Sequence, residues 1–373
     1  MSTSDAPLYF DHNATTPLHA EVRAAMVAAM DEGWGNPSSG HAFGRRARAL
    51  IDGARAEVAA LIGASPDEIV FTSGGTEANN LALHGTPGDG AIVISALEHP
   101  ATSAPGEALG RRGREVRTLG VDGRGQVTID EAALAGASLV SVMHANNETG
   151  VIQPIAALAE AAERAGARLH TDAAQTAGKV PVDVDSLGVD LLSIAGHKLY
   201  GPKGVGALYV RRGVPLEPLV RGAGHERGLR PGTENVIGIA GLGAACRVAT
   251  RDLEAEGARL AALRDTLERS LRAHVPGLAV NGEGAPRLPN TSSVRFPGVL
   301  GRALLEATPG LAASAGSACH EGAETASRVI RAMGVPEDQA LGTVRLSLGR
   351  GTSDREVADA VALLVAAYAR LRR

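Results

Sequence analysis

Four short segments carry residues whose types and spacing suit chemistry at a bound ring. The first is AGHKLYGPKG (195–204), where Lys198 follows the apolar run DLLSI. A lysine at such a junction is placed to form a Schiff base if its amine is partly desolvated. A solvated surface lysine is the plain alternative, and Lys203, in a turn-like PKG context, is the competing residue. The second is HTDAAQ (170–175), in which Asp172 closes an apolar run. A carboxylate there suits a protonated ring nitrogen, and Gln175 suits a ring hydroxyl; a simple helix cap is the alternative for Asp172. The third is FTSGGTEANN (71–80). Gly74 and Gly75 permit a tight bend, and Thr76 and Glu77 open a helix whose first N–H groups and Thr hydroxyl suit a phosphate. A plain glycine turn with a helix cap stays open, and no Gly-Lys-Ser/Thr follows to make a Walker loop. The fourth is SAGSACHEG (314–322), where Cys319 lies among small and polar residues that offer no burial and reads as an accessible nucleophile. Cys246, in the helical pattern AACRVA, reads as inert. Arg345, inside the alternating TVRLSL, wants an anionic partner, either a substrate carboxylate or a structural acid.

The elements around these segments follow from periodicity. Helical patterns cover 18–30, 42–62, 76–84, 154–165 and 247–275. Short apolar runs at 69–71, 91–95, 139–143, 167–172, 190–194 and 204–210 read as strands. Alternation of strand and helix implies an α/β fold, a mostly parallel central sheet with helices on both faces. A second alternating region follows, with strands at 292–296 and 343–348 and helices at 301–307, 326–333 and from about 354. The expected organisation is a large α/β domain over 15–250, with 1–14 and 251–373 forming a smaller α+β domain.

Composition bounds the function class. The 373 residues are 44% hydrophobic but only 2% aromatic, so the core must rest on Ala, Val, Leu and Ile. A net charge of -4 gives no electrostatic case for nucleic acid or an anionic membrane. No apolar run approaches the ~20 residues of a membrane span, and MSTSDAPLYF has no basic or apolar leader pattern. Two cysteines make neither a disulfide framework nor a metal cluster, and a reducing cytoplasmic setting is expected.

Taken in order, DHNATTP (11–17), GNPSS, FTSGGTEANN, LEHP (97–100), NNETG (146–150), TDAAQ, GHKLYGPKG, GHERGLRPGTEN (224–235), GSAC and RLSLGR resemble the cysteine desulfurases, a branch of the class V, fold-type I enzymes that use pyridoxal 5'-phosphate (PLP). The likeness runs from about Leu8 to Gly351, and the Asp172–Lys198 and Cys319–Arg345 spacings both suit it. It implies that Lys198 binds the cofactor covalently and then serves as base and acid. It implies further that Asp172 pairs with the ring nitrogen, Gln175 with the ring oxygen, and that His99 stacks on the ring and helps move protons. Gly75, Thr76 and His197 would hold the phosphate. Asn147 would lie near the ring oxygen and the substrate carboxylate, which Arg345 grips, and Cys319 would attack the sulfur of L-cysteine. Thr233 matches a residue that reaches the phosphate of a neighbouring subunit, which implies a homodimer with a shared site. The span from Cys319 to Ser327 resembles the long-loop group, which hands sulfur to acceptor proteins such as iron–sulfur scaffolds or sulfur carriers. Ala195 departs from the pattern, since many members have a phosphate-binding serine there; a lost hydrogen bond to a charged group is worth ~1.5–3 kcal/mol. Selenocysteine lyases share GHKLYGP, TDAAQ and the Cys-His pair. Other class V aminotransferases and β-lyases share the Asp and Lys without needing GSAC.

Overall fold

The computed structural model describes residues 6–315, 317–320 and 323–372, with the backbone alone at 317–320, 323 and 324. The central sheet has seven strands: β1 (Ile69–Thr72), β2 (Ala91–Ser95), β3 (Val116–Leu119), β4 (Ala137–Ser141), β5 (Arg168–Asp172), β6 (Leu191–Ala195) and β7 (Gly206–Val210). Their order is β1-β7-β6-β5-β4-β2-β3, and only β7 runs against the rest. Successive residues face opposite sides. Ile69, Phe71, Val93, Val140, Leu192, Ile194 and Tyr209 join one apolar cluster, whereas Val70, Ile92, Ile94, Leu139, Leu191 and Leu208 join another. Burial on both faces explains why the strands read as continuous apolar runs. The strand expected at 139–143 ends at Ser141, and β3, with its polar VRTL sequence at the sheet edge, left no apolar signal.

Helices α1 (Ala20–Glu32), α2 (Ala42–Leu61), α3 (Gly75–Gly85), α4 (Pro100–Arg111) and α5 (Ile155–Arg164) surround this sheet. α5 shows the logic: Ile155, Leu158, Ala159 and Ala162 are buried at helical spacing. Helix α6 (Val236–His274) starts eleven residues before the expected 247, because Asn235 caps it through Gly238 N. It is about 58 Å long at ~1.5 Å per residue. Its first half buries Val236, Ile239, Leu242 and Cys246 in the large core, and its second half buries Leu260, Leu263, Leu267 and Leu271 in a separate one.

That second core lies against a four-stranded antiparallel sheet of β8 (Ala279–Val280), β9 (Thr291–Arg295), β10 (Ser314–Ala315) and β13 (Thr343–Ser347), ordered β10-β13-β9-β8. The segment read as a loop around Cys319 instead pairs its backbone as a hairpin of β11 (Ser317–His320) with β12 (Ala323–Ala326). Of helices α7 (Gly301–Glu306), α8 (Arg328–Ala332) and α9 (Asp354–Leu371), α8 buries Val329 and Ile330 in the large core, whereas α7 and α9 complete the region. The chain start joins it too: Leu8–Tyr9 pairs with Leu311–Ala312, and Phe10 enters the core.

A largely buried ion pair ties α6 to the segment before β9, and Ser292 adds a bond from β9 itself. Glu268 accepts from Arg287 Nη1 at 2.7 Å and Nη2 at 3.1 Å, and from Ser292 Oγ at 2.8 Å. Glu268→Ala leaves the Arg287 guanidinium without its counter-charge, so we expect a loss of about 3–5 kcal/mol in urea unfolding. A loss below about 1 kcal/mol would show that water or another acid replaces it.

Candidate active site

Every expected site segment in the large sheet lies just beyond the carboxyl end of a strand, where open α/β sheets bind ligands. After β1 the chain turns through Gly74 (φ 152°, ψ -179°), a conformation open essentially to glycine alone, and enters α3 with no side chain capping it. The turn lies close against β7: a Cβ on Gly206 would come 2.7 Å from Gly74 Cα. The N–H groups of the first turn of α3 and the Thr76 hydroxyl are therefore of a kind that suits an anion.

Asp172, the last residue of β5, is buried. Its Oδ2 accepts from Asn79 Nδ2 at 2.7 Å and its Oδ1 from Ala174 N at 2.9 Å. Asn79 is itself fixed by Thr102 Oγ1 at 3.1 Å, so α3 and α4 jointly orient the carboxylate. His99 caps α4, with Nδ1 accepting from Ala101 N at 3.1 Å. That bond assigns the proton of the neutral ring to Nε2. Burial lowers the His99 pKa, with Asp172 opposing and Lys198 assisting.

Lys198 follows β6 in a short 3-10 turn. Its Nζ donates to Asn13 O at 2.6 Å and Ala14 O at 2.8 Å. Burial, aided by Arg345, brings its pKa down from 10.5 to about 8. Lys203, the competitor, is exposed. His197 Nδ1 meets Thr15 Oγ1 at 3.1 Å, and burial pushes its pKa down to about 4.

These groups line one cavity of about 310 Å³, formed by Gly75, Thr76, His99, Asn147, Asp172, Gln175, Ala195, His197 and Lys198 together with small neighbours. A second cavity of about 640 Å³ shares His99 and Asn147 with it and adds Ser314, Arg328 and Arg345. Arg345 is buried and already has an acid: Nη2 donates to Asp11 Oδ1 at 2.6 Å and to Ser314 Oγ at 2.9 Å, and Nη1 donates to Asn147 O at 2.9 Å. Its Nε is buried without a partner, which leaves one donor of the fork unused. Of the two alternatives weighed for this residue, the structure supplies the structural acid, Asp11.

Two expected site residues are not gathered by these cavities. Thr233 is exposed in the segment before α6. The Cys319 side chain lies outside the described residues, although its backbone sits in β11. Cys246 is fully buried, and burial pushes its thiol pKa far up.

Sequence reasoning assigned no role to several residues that build the site. Asn13 is the main one. Its carbonyl receives Lys198 and Gln175, its Oδ1 receives Lys179 and Asn290, and its Nδ2 donates to Asn147 O and Thr291 Oγ1. It links the N-terminal segment and β9 to the loops of the large sheet. Glu98 is another: it is buried, accepts from Ser95 Oγ at 2.5 Å and Met143 N at 3.0 Å, and burial raises its pKa to about 8. It joins the turn that bears His99 to the end of β4. The available signal was polar residues inside otherwise apolar or turn segments, such as Asn79 in α3.

The comparisons agree with this architecture. The class-V aminotransferase family pattern matches residues 8–359. A cysteine desulfurase of Sinorhizobium fredii is 44% identical over 377 residues, covering 98% of this chain and 97% of that protein. The cysteine desulfurase IscS of an Anaeromyxobacter species is 46% identical over 379 residues, covering 98% and 93%. Among solved structures, a NifS-like protein from Rickettsia africae superposes with a TM-score of 0.88 at 32% identity, covering 97% of this chain and 99% of that one. SspA in complex with cysteine superposes with a TM-score of 0.79 at 34% identity, covering 91% and 98%. The chain belongs to the class-V aminotransferase family, within its cysteine desulfurase branch.

Proposed function

We propose that the protein is a PLP-dependent cysteine desulfurase that moves the sulfur of L-cysteine onto Cys319 as a persulfide and leaves L-alanine. The observation that carries this reading is the convergence of Lys198, Asp172, His99 and the uncapped start of α3 on one cavity. The donor set fits PLP: an anion cradle at one end, a carboxylate for a ring nitrogen, an amide for a ring oxygen, and a lysine whose amine is easily neutral. On this reading residues 15–250 hold the cofactor, and residues 1–14 with 251–373 carry the cysteine.

PLP when bound supplies an electron sink for charge released at the substrate Cα. The side chains do the rest. Gly75, Thr76 and His197 would hold the phosphate, and Asp172 would accept the ring N–H. Gln175 and Asn147 would bond the ring oxygen, and His99 would contact the ring. Lys198 would hold the cofactor covalently and, as a free amine, would take the substrate Cα proton and return it. Arg345 engages the substrate carboxylate through its spare donor capacity. The Cys319 thiolate then attacks the substrate sulfur. An S–S bond forms, the Cβ–S bond breaks, its electron pair stays with the carbon skeleton, and protonation there gives alanine. Thr233 would act across a homodimer, completing the phosphate site of the other subunit. The reading places the enzyme in the cytoplasm, passing sulfur to a scaffold or carrier protein for iron–sulfur clusters, thio-cofactors or tRNA thiolation.

The depressed Lys198 pKa has a direct consequence. Schiff-base formation needs the neutral amine, whose fraction in the cofactor-free protein rises through pH of about 8. The rate of PLP attachment, followed by visible absorbance, should rise through the same pH. A rise continuing toward pH 10 would place attachment on a solvated lysine.

The reaction itself is tested by incubating the PLP-loaded protein with L-cysteine and a thiol reductant and quantifying alanine and sulfide. Equal amounts of both are expected. Pyruvate in place of alanine would indicate β-elimination and overturn the reading. Alanine from selenocysteine alone would move it to a selenocysteine lyase.

A further inference from the structure

Lys179 is a second lysine at the site for which the reaction above has no use. It sits four residues after Gln175 in the turn that follows β5, so the two side chains share one face. Part of the residue reaches the surface, but its ammonium end is deep. Its Nζ donates to Gln175 Oε1 at 2.9 Å and to Asn13 Oδ1 at 3.2 Å. Burial, aided by the charges of Lys198 and Arg345, lowers its pKa from 10.5 to about 7. His12 and His197 also feel it, since its charge disfavours their protonation. Glu256 lines the small cavity beneath it, beside His12 and Arg350.

The hydrogen-bond chemistry fixes more than distance. In its charged form Lys179 has only donors, so the atom of Gln175 that faces it is the amide oxygen. The carbonyl of Asn13 only accepts, so the atom facing it, at 3.0 Å, must be the amide nitrogen. Gln175 therefore cannot flip. Its Oε1 is committed to Lys179, and its NH₂ keeps one N–H beyond the bond to Asn13. Because Gln175 also lines the cavity, its remaining N–H is the donor it can offer a ligand there.

We infer that Lys179 is a positioning residue that locks Gln175 with its donor toward the cofactor and thereby holds the cofactor's ring oxygen in its anionic form. This rests on the PLP reading of the cavity. A donor on that oxygen, held in place by the bond from Lys179 to Gln175, favours the deprotonated ring–Lys198 system.

The test uses the PLP-loaded protein and reads the midpoint of its visible-absorbance pH titration, independent of turnover. Lys179→Met should raise that midpoint by about one pH unit, the size typical of a nearby charge and its hydrogen bond. Lys179→Arg, which keeps donor and charge, should leave it near the wild-type value. Lys179→Gln, a milder change that keeps a buried donor, should move it in the same direction as Met, and carries the test if the Met variant does not fold by thermal melting. In a Gln175→Met background the Lys179→Met shift should largely vanish. An unchanged midpoint in Lys179→Met and Lys179→Gln would overturn the inference while leaving the PLP reading intact. A full shift persisting without Gln175 would overturn it by showing direct action on Lys198. A failure of the PLP reading looks different: wild-type protein would acquire no titrating visible band, or Lys198→Ala would titrate like wild type.

Discussion

Lys198→Ala should lose the borohydride-reducible link to PLP and at least about 10³-fold in the rate of alanine formation. General acid–base catalysis alone contributes ~10²–10⁴-fold, and this residue is both the attachment point and the proton carrier. Cofactor should still enter the variant non-covalently, because the α3 cradle and Asp172 remain. Stability gives an independent sign. The folded Lys198 pKa is depressed to about 8, below its ordinary 10.5. A lysine so placed costs stability while charged, and the native state recovers it as pH rises from about 8 toward 10.5. The cofactor-free Ala variant should therefore melt no lower than cofactor-free wild type near neutral pH and should show a smaller rise, the part due to Lys179 remaining. The same losses in Lys203→Ala, or a Lys198→Ala enzyme within tenfold of wild type, would displace Lys198 from the centre of the account.

Cys319→Ala should separate the two halves of the chemistry. The described residues that line the cofactor cavity come from the loops of the large sheet and the N-terminal segment, so PLP uptake and the spectral response to L-cysteine should survive. Sulfide and alanine production should fall by about 10² or more, since the sulfur then lacks its nucleophile. The other thiol cannot substitute: Cys246 lies fully buried in α6 with its pKa pushed far up, and a thiolate is what attacks. Alanine release in Cys319→Ala above about a tenth of wild type would mean that sulfur leaves without this residue.

Much of this arrangement was legible in the residues, for physical reasons. The central strands are buried on both faces, so they stand out as apolar runs, and the chemistry falls where those runs end. Asp172 and Lys198 could be located because strand ends in an open α/β sheet all point one way. Less visible was whatever depended on partners distant in sequence. Arg345 was recognised as a charge in need of an anion, but nothing local revealed that Asp11, from the opposite end of the chain, would supply it at 2.6 Å. Asn13 lay inside a quoted motif, yet its role comes from contacts with residues 147, 175, 179, 198 and 290. Nothing in the sequence singled out Lys179, because a single sequence does not show which way a long side chain folds. Helix α6 was cut short because its first turns are small and apolar, a pattern that reads equally as strand or turn. The segment around Cys319 was read as a loop because small residues carry no periodicity, whereas its backbone pairs as a hairpin.

The central claim is that sulfur passes through Cys319, and mass analysis of the protein after a single turnover tests it most directly. PLP-loaded enzyme would be mixed with less than one equivalent of L-cysteine without reductant, the thiols alkylated, and the peptides separated. The account predicts one added sulfur atom on the peptide containing Cys319, in an amount matching the alanine formed, and none on the peptide containing Cys246. Alanine formed with Cys319 unmodified and free sulfide in solution would contradict it.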